Sequence, residues 1–241
     1  NFYSEIMQEA IKFLRGEDQT IREKIIEKMR HYAALENFER AALYRDQLIA
    51  FDTVTKKQAA DDMLRLKEYL HLKNTPERIE CIDISNLQGT DIVASVVCFI
   101  NGKPAKKYYR HYQIRTVLDK PDDFSSIFEV VIRRLRRGLK EQMFPHLLVI
   151  DGGKGQLSRA QEAFRLFDNL PPIDLISLIK SRTERNSFAQ EVAISAEKVV
   201  LVDQEPISLT TGSPEYKILT QIRNEAHRFA ISYHRKKRAT R

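Results

Sequence analysis

An aspartate that directly follows an apolar run is the residue of this chain best placed for chemistry. Asp151 comes after four apolar residues, 147–150, and precedes the glycine-rich run GGKG and a helical pattern. Such a run predicts a central strand that ends in a tight turn into a helix. Sheets of α/β proteins bind ligands at this strand end. A carboxylate buried there needs a partner or a metal ion, because an unpaired buried charge is costly.

Two other roles are open to Asp151. It could cap the helix that follows, or it could be the strand acid of an ATPase. The chain has eight glycines but no GxxxxGK[ST] sequence, so it lacks the phosphate-binding loop of an ATPase. Helix capping and catalysis both remain as interpretations of Asp151.

Three more residues could take part in the same chemistry. Asp83 lies inside the apolar sequence IECIDISN, where it needs a partner or binds a backbone turn. His227 follows Arg223 by one helical turn in RNEAHRF, so both face the same way. An imidazole can bind a metal or carry a proton, and a guanidinium can hold a phosphate; a structural role is the alternative for His227. Asp123, in PDDF, is either a helix cap or a further catalytic acid.

The chain is basic, and its positive charge is concentrated in two places. The formal net charge of the 241 residues is +7, of which residues 221–241 carry +6. A second cluster falls between Arg133 and Lys140. A basic surface favours anionic partners, most often nucleic acid. Solvated helix faces are the alternative interpretation of each cluster.

The remaining composition excludes several classes of protein. Cys81 and Cys98 lie in apolar, strand-like runs, which predicts buried thiols in a reducing compartment in place of a disulfide or zinc site. Apolar runs of membrane-spanning length and a signal-peptide pattern are both missing from the sequence. We therefore expect a cytoplasmic protein, and since the chain begins without Met, a piece of a longer one.

The elements that would position these residues follow from the apolar periodicity. Residues 1–58 predict an antiparallel helical hairpin with a break near residues 35–37, and residues 59–77 a helical linker. From residue 78 the chain predicts three antiparallel strands, at 79–84, 92–100 and 106–114. After these strands we expect a helix to about residue 141, a strand at 147–150 and a helix to 167. Strands at 173–179 and 199–202 and a closing helix from Ser213 complete the prediction. This β-β-β-α-β-α-β order resembles the ribonuclease-H-like fold.

In nucleases of that fold the first and the fourth strand lie side by side, and each carries a metal-binding aspartate. The resemblance implies that Asp83 and Asp151 converge on one cation. Carboxylate oxygens suit hard ions such as Mg²⁺ and Mn²⁺.

Four segments together resemble one bacterial family, the UvrC subunit of the UvrABC excinuclease: IECIDISN, PDDFSS, IDGGKGQL and RNEAHRFAISYHRKKR. The stretch ALENFERAALYRDQL resembles the UVR motif of the same family. The resemblance covers nearly all of the chain. It implies a DNA endonuclease of nucleotide excision repair, with a ribonuclease-H-like domain at 78–241 that makes the 5′ incision beside a lesion. It also implies that residues 21–50 bind the helicase subunit UvrB.

The family pattern assigns roles to individual residues. It implies that Asp83, Asp151 and His227 form a metal-binding catalytic set that uses Mg²⁺ or Mn²⁺, and that Asp123 is a further acid. Basic residues would hold damaged double-stranded DNA through its phosphates, without reading the sequence. These predicted DNA contacts are Lys154, Arg223, Arg228, Arg133, Arg134, Arg137, Arg235, Lys236, Lys237 and Arg238.

The sequence also departs from the family pattern. The 241 residues contain neither the GIY-YIG nuclease segment nor the helix-hairpin-helix module that the family pattern leads us to expect. The stretch between the UVR-like motif and the first catalytic strand is also short. The 3′ incision is therefore not assigned to this chain. A non-catalytic adaptor between a repair helicase and DNA is the alternative function, and it predicts that Asp83 and Asp151 do not converge. A resolvase-type nuclease would explain the site but not the hairpin.

Overall fold

The computed structural model describes residues 18–87, 91–115, 123–180, 197–202 and 204–239. The chain divides into two compact units, Asn1–Asp61 and Asp62–Arg241. Among the described helices, none combines the length and the apolar character needed to cross a membrane.

The first unit is a helical hairpin, as its periodicity predicts. Helix α1 (Asp18–Ala34) and helix α2 (Phe38–Tyr69) are joined by a short turn, at which the side chain of Asn37 accepts a hydrogen bond from the backbone N–H of Arg40. Arg22 binds Asp52 through two hydrogen bonds of 2.9 and 3.2 Å. These cross-helix contacts establish an antiparallel pair. Within the described part of this unit, five large apolar side chains are exposed: Leu35, Phe38, Leu43, Ile49 and Val54.

The last turns of α2 belong to the second unit, which begins at Asp62. Met63, Leu66 and Leu70 are buried in its core. Much of the predicted linker, residues 59–77, is therefore part of this helix and of the core it covers, instead of a separate segment.

A mixed sheet forms the centre of the second unit. Its strands within the described residues are β1 (Arg78–Leu87), β2 (Asp91–Ile100), β3 (Lys103–Pro104), β4 (Arg110–Gln113), β5 (Leu147–Asp151), β6 (Asp174–Lys180), β7 (Glu197–Leu201) and β8 (Ile207–Ser208). The sheet order is β3-β2-β1-β5-β6-β7-β8, and β4 also pairs with β2. Strand β5 lies parallel to both β1 and β6. The first and the fourth predicted strands are therefore neighbours, as the ribonuclease-H-like order requires.

Two details of the sheet differ from the prediction. The strand predicted at 106–114 is divided into a 3₁₀ turn, Lys106–Tyr108, and the shorter β4, because the Tyr109 N–H donates a hydrogen bond back to the Lys106 carbonyl. Asn101 and Gly102 adopt positive φ angles of 47° and 73°, as a two-residue hairpin turn requires. Strand β7 runs antiparallel to β6, although the fold resemblance implies parallel strands after the first three. Apolar runs of four or five residues do not encode strand direction.

Helices cover both faces of the sheet. Helices α3 (Asp123–Glu141) and α4 (Lys154–Phe164) pack on one face, where Ile82 and Ile150 are buried. Helix α5 (Pro214–Ala239) packs on the other face, over β1 and β2. Ser213 caps α5 as predicted, since its hydroxyl accepts a 3.1 Å hydrogen bond from the Tyr216 N–H.

Both cysteines are free and buried. Burial raises the pKa of the Cys98 thiol to about 12, with a smaller contribution from the charge of Glu80. At pH 8 only about one Cys98 thiol in 10⁴ is then ionised, and the thiolate is the reactive form. We expect a thiol reagent such as DTNB to leave Cys98 unmodified in the native protein and to modify it within minutes in denaturant. Mass spectrometry identifies the modified residue. Rapid modification of Cys98 in the native protein would contradict its burial.

Candidate active site

The two candidate aspartates occupy equivalent positions on neighbouring strands. In the parallel pair β1–β5, Ile82 lies opposite Ile150, so Asp83 and Asp151 are the next residues on the two strands; Asp151 ends β5, whereas Asp83 lies in the middle of β1. Both follow a residue that faces α3 and α4, and side chains of a strand alternate between faces. Asp83 and Asp151 therefore face α5, on the same side as Cys81.

The electrostatics of Cys81 reflect the nearness of these acids. Burial is the main reason that the pKa of the Cys81 thiol lies well above its usual value. The negative charges of Asp151 and Asp83 raise this pKa further, and Arg223 lowers it. Charges act strongly only over short distances, so all three groups lie around one buried thiol at this end of the sheet.

Helix α5 brings the histidine to the same place. The Nδ1 atom of His227 lies 3.6 Å from Oδ2 of Asp83. The Asp83 side chain is only 10% exposed, whereas that of His227 is 67% exposed. This distance is longer than a hydrogen bond, so the pair is a close contact between an acid and an imidazole at the surface of the site.

The donor types fit a hard divalent cation, but the side chains are not arranged as a closed cage. Carboxylate oxygens and an imidazole nitrogen are ligands for Mg²⁺ and Mn²⁺. Within the described residues, no three His, Cys, Asp or Glu side chains stand close enough to hold an ion as they are placed. Asp83, Asp151 and His227 would have to rotate toward one another, and the exposed imidazole has room to do so.

Asp123, the fourth candidate acid, is the first residue of α3. Its side chain lies outside the described residues. The roles of helix cap and catalytic acid both remain predictions.

The GGKG turn holds its shape through one glutamine. The Oε1 atom of Gln156 accepts a 2.9 Å hydrogen bond from the Gly153 N–H at the start of α4. A Cβ atom at Gly152 would collide with this glutamine side chain. Gly152 therefore allows the chain to turn directly after Asp151, and the turn leaves Lys154 exposed as the first residue of α4.

Two of the predicted DNA contacts occupy structural positions instead. Arg134 is buried and donates hydrogen bonds of 2.5 and 2.8 Å to the carboxylate of Glu80. Arg223 is buried, and its Nη1 lies 2.6 Å from Oε1 of Glu197. A guanidinium that already neutralises a buried carboxylate cannot also meet a DNA phosphate without exposing that carboxylate's charge. Charge in the sequence does not distinguish such a buried pair from a binding surface, and DNA contact by these two arginines stays a prediction.

The other basic residues are accessible to different degrees. Arg133 and Arg137 are partly exposed on α3 and pair with Glu129 and Glu141. Arg228 is 60% exposed beside Glu225, and Arg235 is exposed. The side chains of Lys236, Lys237 and Arg238 lie outside the described residues.

A row of polar side chains beside Asp83 is not evident from the sequence. Asp83 pairs with Ser95 across β1–β2, and Ser95 pairs with His111 across β2–β4. The buried Ser95 hydroxyl lies 3.2 Å from Nδ1 of His111, and the ring of Phe229 from α5 stacks on this imidazole at 3.8 Å. Only the strand register brings these distant residues together.

Comparison with known proteins identifies relatives from a single family. A family model described as the UvrC RNAse H endonuclease domain matches residues 67–231, and one described as the UvrB/uvrC motif matches residues 19–53. UvrABC system protein C from Cytophaga hutchinsonii is 41% identical over 194 residues, which is 80% of this chain and 30% of that protein. The Geobacter metallireducens protein of the same name is 45% identical over 185 residues, covering 76% of this chain and 30% of the relative. The chain thus spans about 30% of the length of these relatives.

Solved structures match more distantly. Endonuclease V from Ciona intestinalis, in complex with an inosine-containing DNA, is 13% identical with a TM-score of 0.37. The match covers 70% of this chain and 84% of that one.

The match to the UvrC RNAse H endonuclease domain model covers well over half of the chain and includes every described strand of the sheet. The predicted ribonuclease-H-like fold is confirmed by that match and by the placement of β1 beside β5. The chain belongs to the UvrC family, with a UVR motif followed by the family's ribonuclease H endonuclease domain.

Proposed function

We propose that this chain is a DNA endonuclease of nucleotide excision repair that makes the 5′ incision beside a lesion. The observation that carries this proposal is the position of Asp83, Asp151 and His227 at one end of the sheet, on a chain of the UvrC family. An adaptor without catalysis would have no need to bring two carboxylates together on neighbouring strands.

In this proposal the three side chains are metal ligands. A bound Mg²⁺ or Mn²⁺ would polarise the scissile phosphate and make a bound water more acidic. Asp83 and Asp151 supply the negative charge that binds a cation, and His227 is either a third ligand or a proton carrier. Lys154 is exposed one turn beyond Asp151 and would neutralise charge on the phosphate.

The hairpin is proposed to bind the UvrB helicase subunit through residues 21–50. The motif match over residues 19–53 supports this, and so do the exposed Leu43 and Ile49. Large apolar side chains exposed on a helix gain stabilisation when a partner protein covers them.

DNA binding should depend steeply on salt. Among the predicted DNA contacts whose side chains the structure describes, five are not buried: Lys154, Arg133, Arg137, Arg228 and Arg235. If each meets one phosphate, the slope of log K against log salt is about −4.5, and affinity falls several hundredfold between roughly 50 and 200 mM salt. Fluorescence anisotropy with a labelled duplex measures this slope, and Lys154→Gln should make it shallower by about 0.9. A flat salt response would exclude the basic surface from DNA binding.

The function itself is tested by incision. A duplex with one bulky lesion and a 5′ label is loaded with UvrB and then incubated with the full chain and Mg²⁺ or Mn²⁺. The proposal predicts a single nick on the 5′ side of the lesion that disappears with EDTA. An adaptor would bind UvrB and DNA but leave the strand intact with either ion.

A further inference from the structure

A third group of basic residues lies outside the two clusters that stand out in the sequence. Residues 103–115, KPAKKYYRHYQIR, contain five Lys or Arg residues and no acidic residue. They include β3, the 3₁₀ turn and β4, and within the described residues β4 pairs only with β2. This group therefore occupies one edge of the sheet. Its three members at the turn and the start of β4, Lys106, Lys107 and Arg110, are called the basic edge below.

Two side chains of the basic edge are held in place by neutral partners. The guanidinium of Arg110 donates hydrogen bonds of 2.9 and 2.6 Å to the carbonyl oxygens of Lys107 and Tyr109. The ammonium group of Lys107 lies 4.8 Å from the centre of the Tyr108 ring. Among the residues that the structure describes, no carboxylate lies within ion-pair distance of either cation, whereas two arginines of α3 pair with acids. These two cations are thus positioned without being neutralised.

The basic edge joins the two sequence clusters into one surface. On the α3 side, Nη1 of Arg133 donates a 2.6 Å hydrogen bond to the carbonyl oxygen of Gln113 in β4. On the α5 side, the pKa of the Glu225 carboxyl is lowered chiefly by its hydrogen bond from Arg228, and the charge of Lys106 lowers it further. Because charges act strongly only over short distances, Lys106 lies beside α5. Positive charge therefore continues from α3 around the sheet edge to α5.

The register of the strands relates the basic edge to the candidate active site. His111, the residue after Arg110, is aligned with Asp83 through Ser95. Neighbouring strands lie about 4.8 Å apart, so β4 is roughly 10 Å from β1. Phosphates of one DNA strand are about 3.4 Å apart along the duplex axis. A duplex that extends from the active site across this edge would reach it within about three base pairs.

We propose that Lys106, Lys107 and Arg110 bind the phosphates of the duplex arm on one side of the cut, together with the exposed cations of α3 and α5. The inference rests on the proposed endonuclease function and adds to it a surface for the paired DNA that flanks the incision. Charge complementarity carries it. A phosphate that meets a fixed cation without an acidic partner releases counterions and breaks no ion pair of the protein.

The salt dependence of duplex binding tests this surface quantitatively. With three phosphate contacts added to the other five, the slope of log K against log salt for the wild-type chain is about −7 instead of −4.5. Lys106→Gln combined with Lys107→Gln should make the slope shallower by about 1.8 in an anisotropy assay. The matched control is Lys198→Gln combined with Lys217→Gln, at exposed positions on β7 and the first turn of α5. This control removes the same net charge and should keep the wild-type slope.

Variants of Arg110 separate its charge from its local structural role. Arg110→Gln should make the slope shallower by about 0.9, whereas Arg110→Lys keeps the charge and should retain nearly the wild-type slope. Both variants lose the paired hydrogen bonds to the two carbonyl oxygens. If both reduce the slope equally while the double lysine variant does not change it, the effect comes from the shape of the turn and the inference is wrong.

Crosslinking locates the contact on the DNA. Both natural cysteines are buried, so Lys107→Cys can be labelled selectively with a photoactivated crosslinker in the native protein. On a lesion duplex loaded with UvrB, we expect crosslinks to paired DNA on one side of the incised phosphate only, a few base pairs from it. Lys198→Cys, labelled in the same way, should give none above background. Crosslinks of Lys107→Cys spread evenly over both arms would contradict a defined path for the duplex.

The outcomes distinguish this inference from the endonuclease function. If DNA is cut but the double lysine variant keeps the wild-type slope, the basic edge does not bind DNA and the function stands. Self-association of that variant without a change in slope would show that the lysines only prevent pairing of edge strands, and a loss confined to UvrB binding would assign them to a protein contact; either result overturns the inference. If the slopes and crosslinks are as expected but no strand is cut, the DNA surface stands and the endonuclease function is wrong.

Discussion

Asp151→Asn is expected to fold like the wild-type chain and to lose metal-dependent DNA cleavage by about 10³-fold or more. A metal ion contributes several kcal/mol of transition-state stabilisation in such sites, and each ~1.4 kcal/mol lost slows the reaction tenfold. Asparagine keeps the size of the side chain but removes the charge that holds the cation. Because Asp83 directly follows the last residue pair of the β1–β5 ladder, as Asp151 does, removing one of two neighbouring negative charges should not destabilise the fold.

Single-turnover nicking with Mn²⁺ measures the activity, and urea unfolding measures the stability. Asp83→Asn should behave in the same way, and Asp168→Asn, at an exposed position in the loop after α4, should cut like wild type. Wild-type cleavage by folded Asp151→Asn would show that the active site is elsewhere.

Arg223→Met is expected to lower the free energy of unfolding by about 3–5 kcal/mol. The change leaves the carboxylate of Glu197 without the guanidinium that now lies 2.6 Å away, and both side chains are more than nine-tenths buried. Breaking a buried pair on one side costs this much, whereas replacing both partners by apolar residues is often neutral. The double variant Glu197→Leu with Arg223→Met should therefore recover most of the lost stability in urea unfolding.

The double variant also distinguishes two roles of Arg223. If the arginine serves only to hold α5 on β7, the stable double variant binds DNA with the affinity and salt slope of wild type. If instead it meets a phosphate, as its spacing from His227 suggested, DNA affinity falls in the double variant although its stability is restored. The burial of the pair predicts the first result.

The sequence predicted most of the elements and their order, since long helices and apolar strands leave strong periodic signals. The break at 35–37, the hairpin at Asn101-Gly102 and the cap at Ser213 all have local causes that the sequence displays. The direction of β7 and the two-residue strands β3 and β8 were beyond prediction, because strand direction and pairing of very short segments depend on tertiary contacts.

The site was predictable where its residues carry their own signal. Asp83 and Asp151 stood out as acids within apolar strands, a combination that is costly without a role. His227 was a candidate through its position on the closing helix and the family resemblance. The sequence could not separate Arg134 and Arg223 from the surface cations, because their partners Glu80 and Glu197 are far away along the chain. Nor could it find His111, whose nearness to Asp83 arises from strand register alone.

A crystal structure of the full chain with Mn²⁺ tests most directly the proposal that Asp83, Asp151 and His227 hold a single catalytic cation. We expect an anomalous scattering peak between the middle of β1 and the carboxyl end of β5, about 2.1 Å from one carboxylate oxygen of each aspartate. A peak bound only by other residues, or carboxylates that stay too far apart to share one ion at saturating Mn²⁺, would contradict the proposed site.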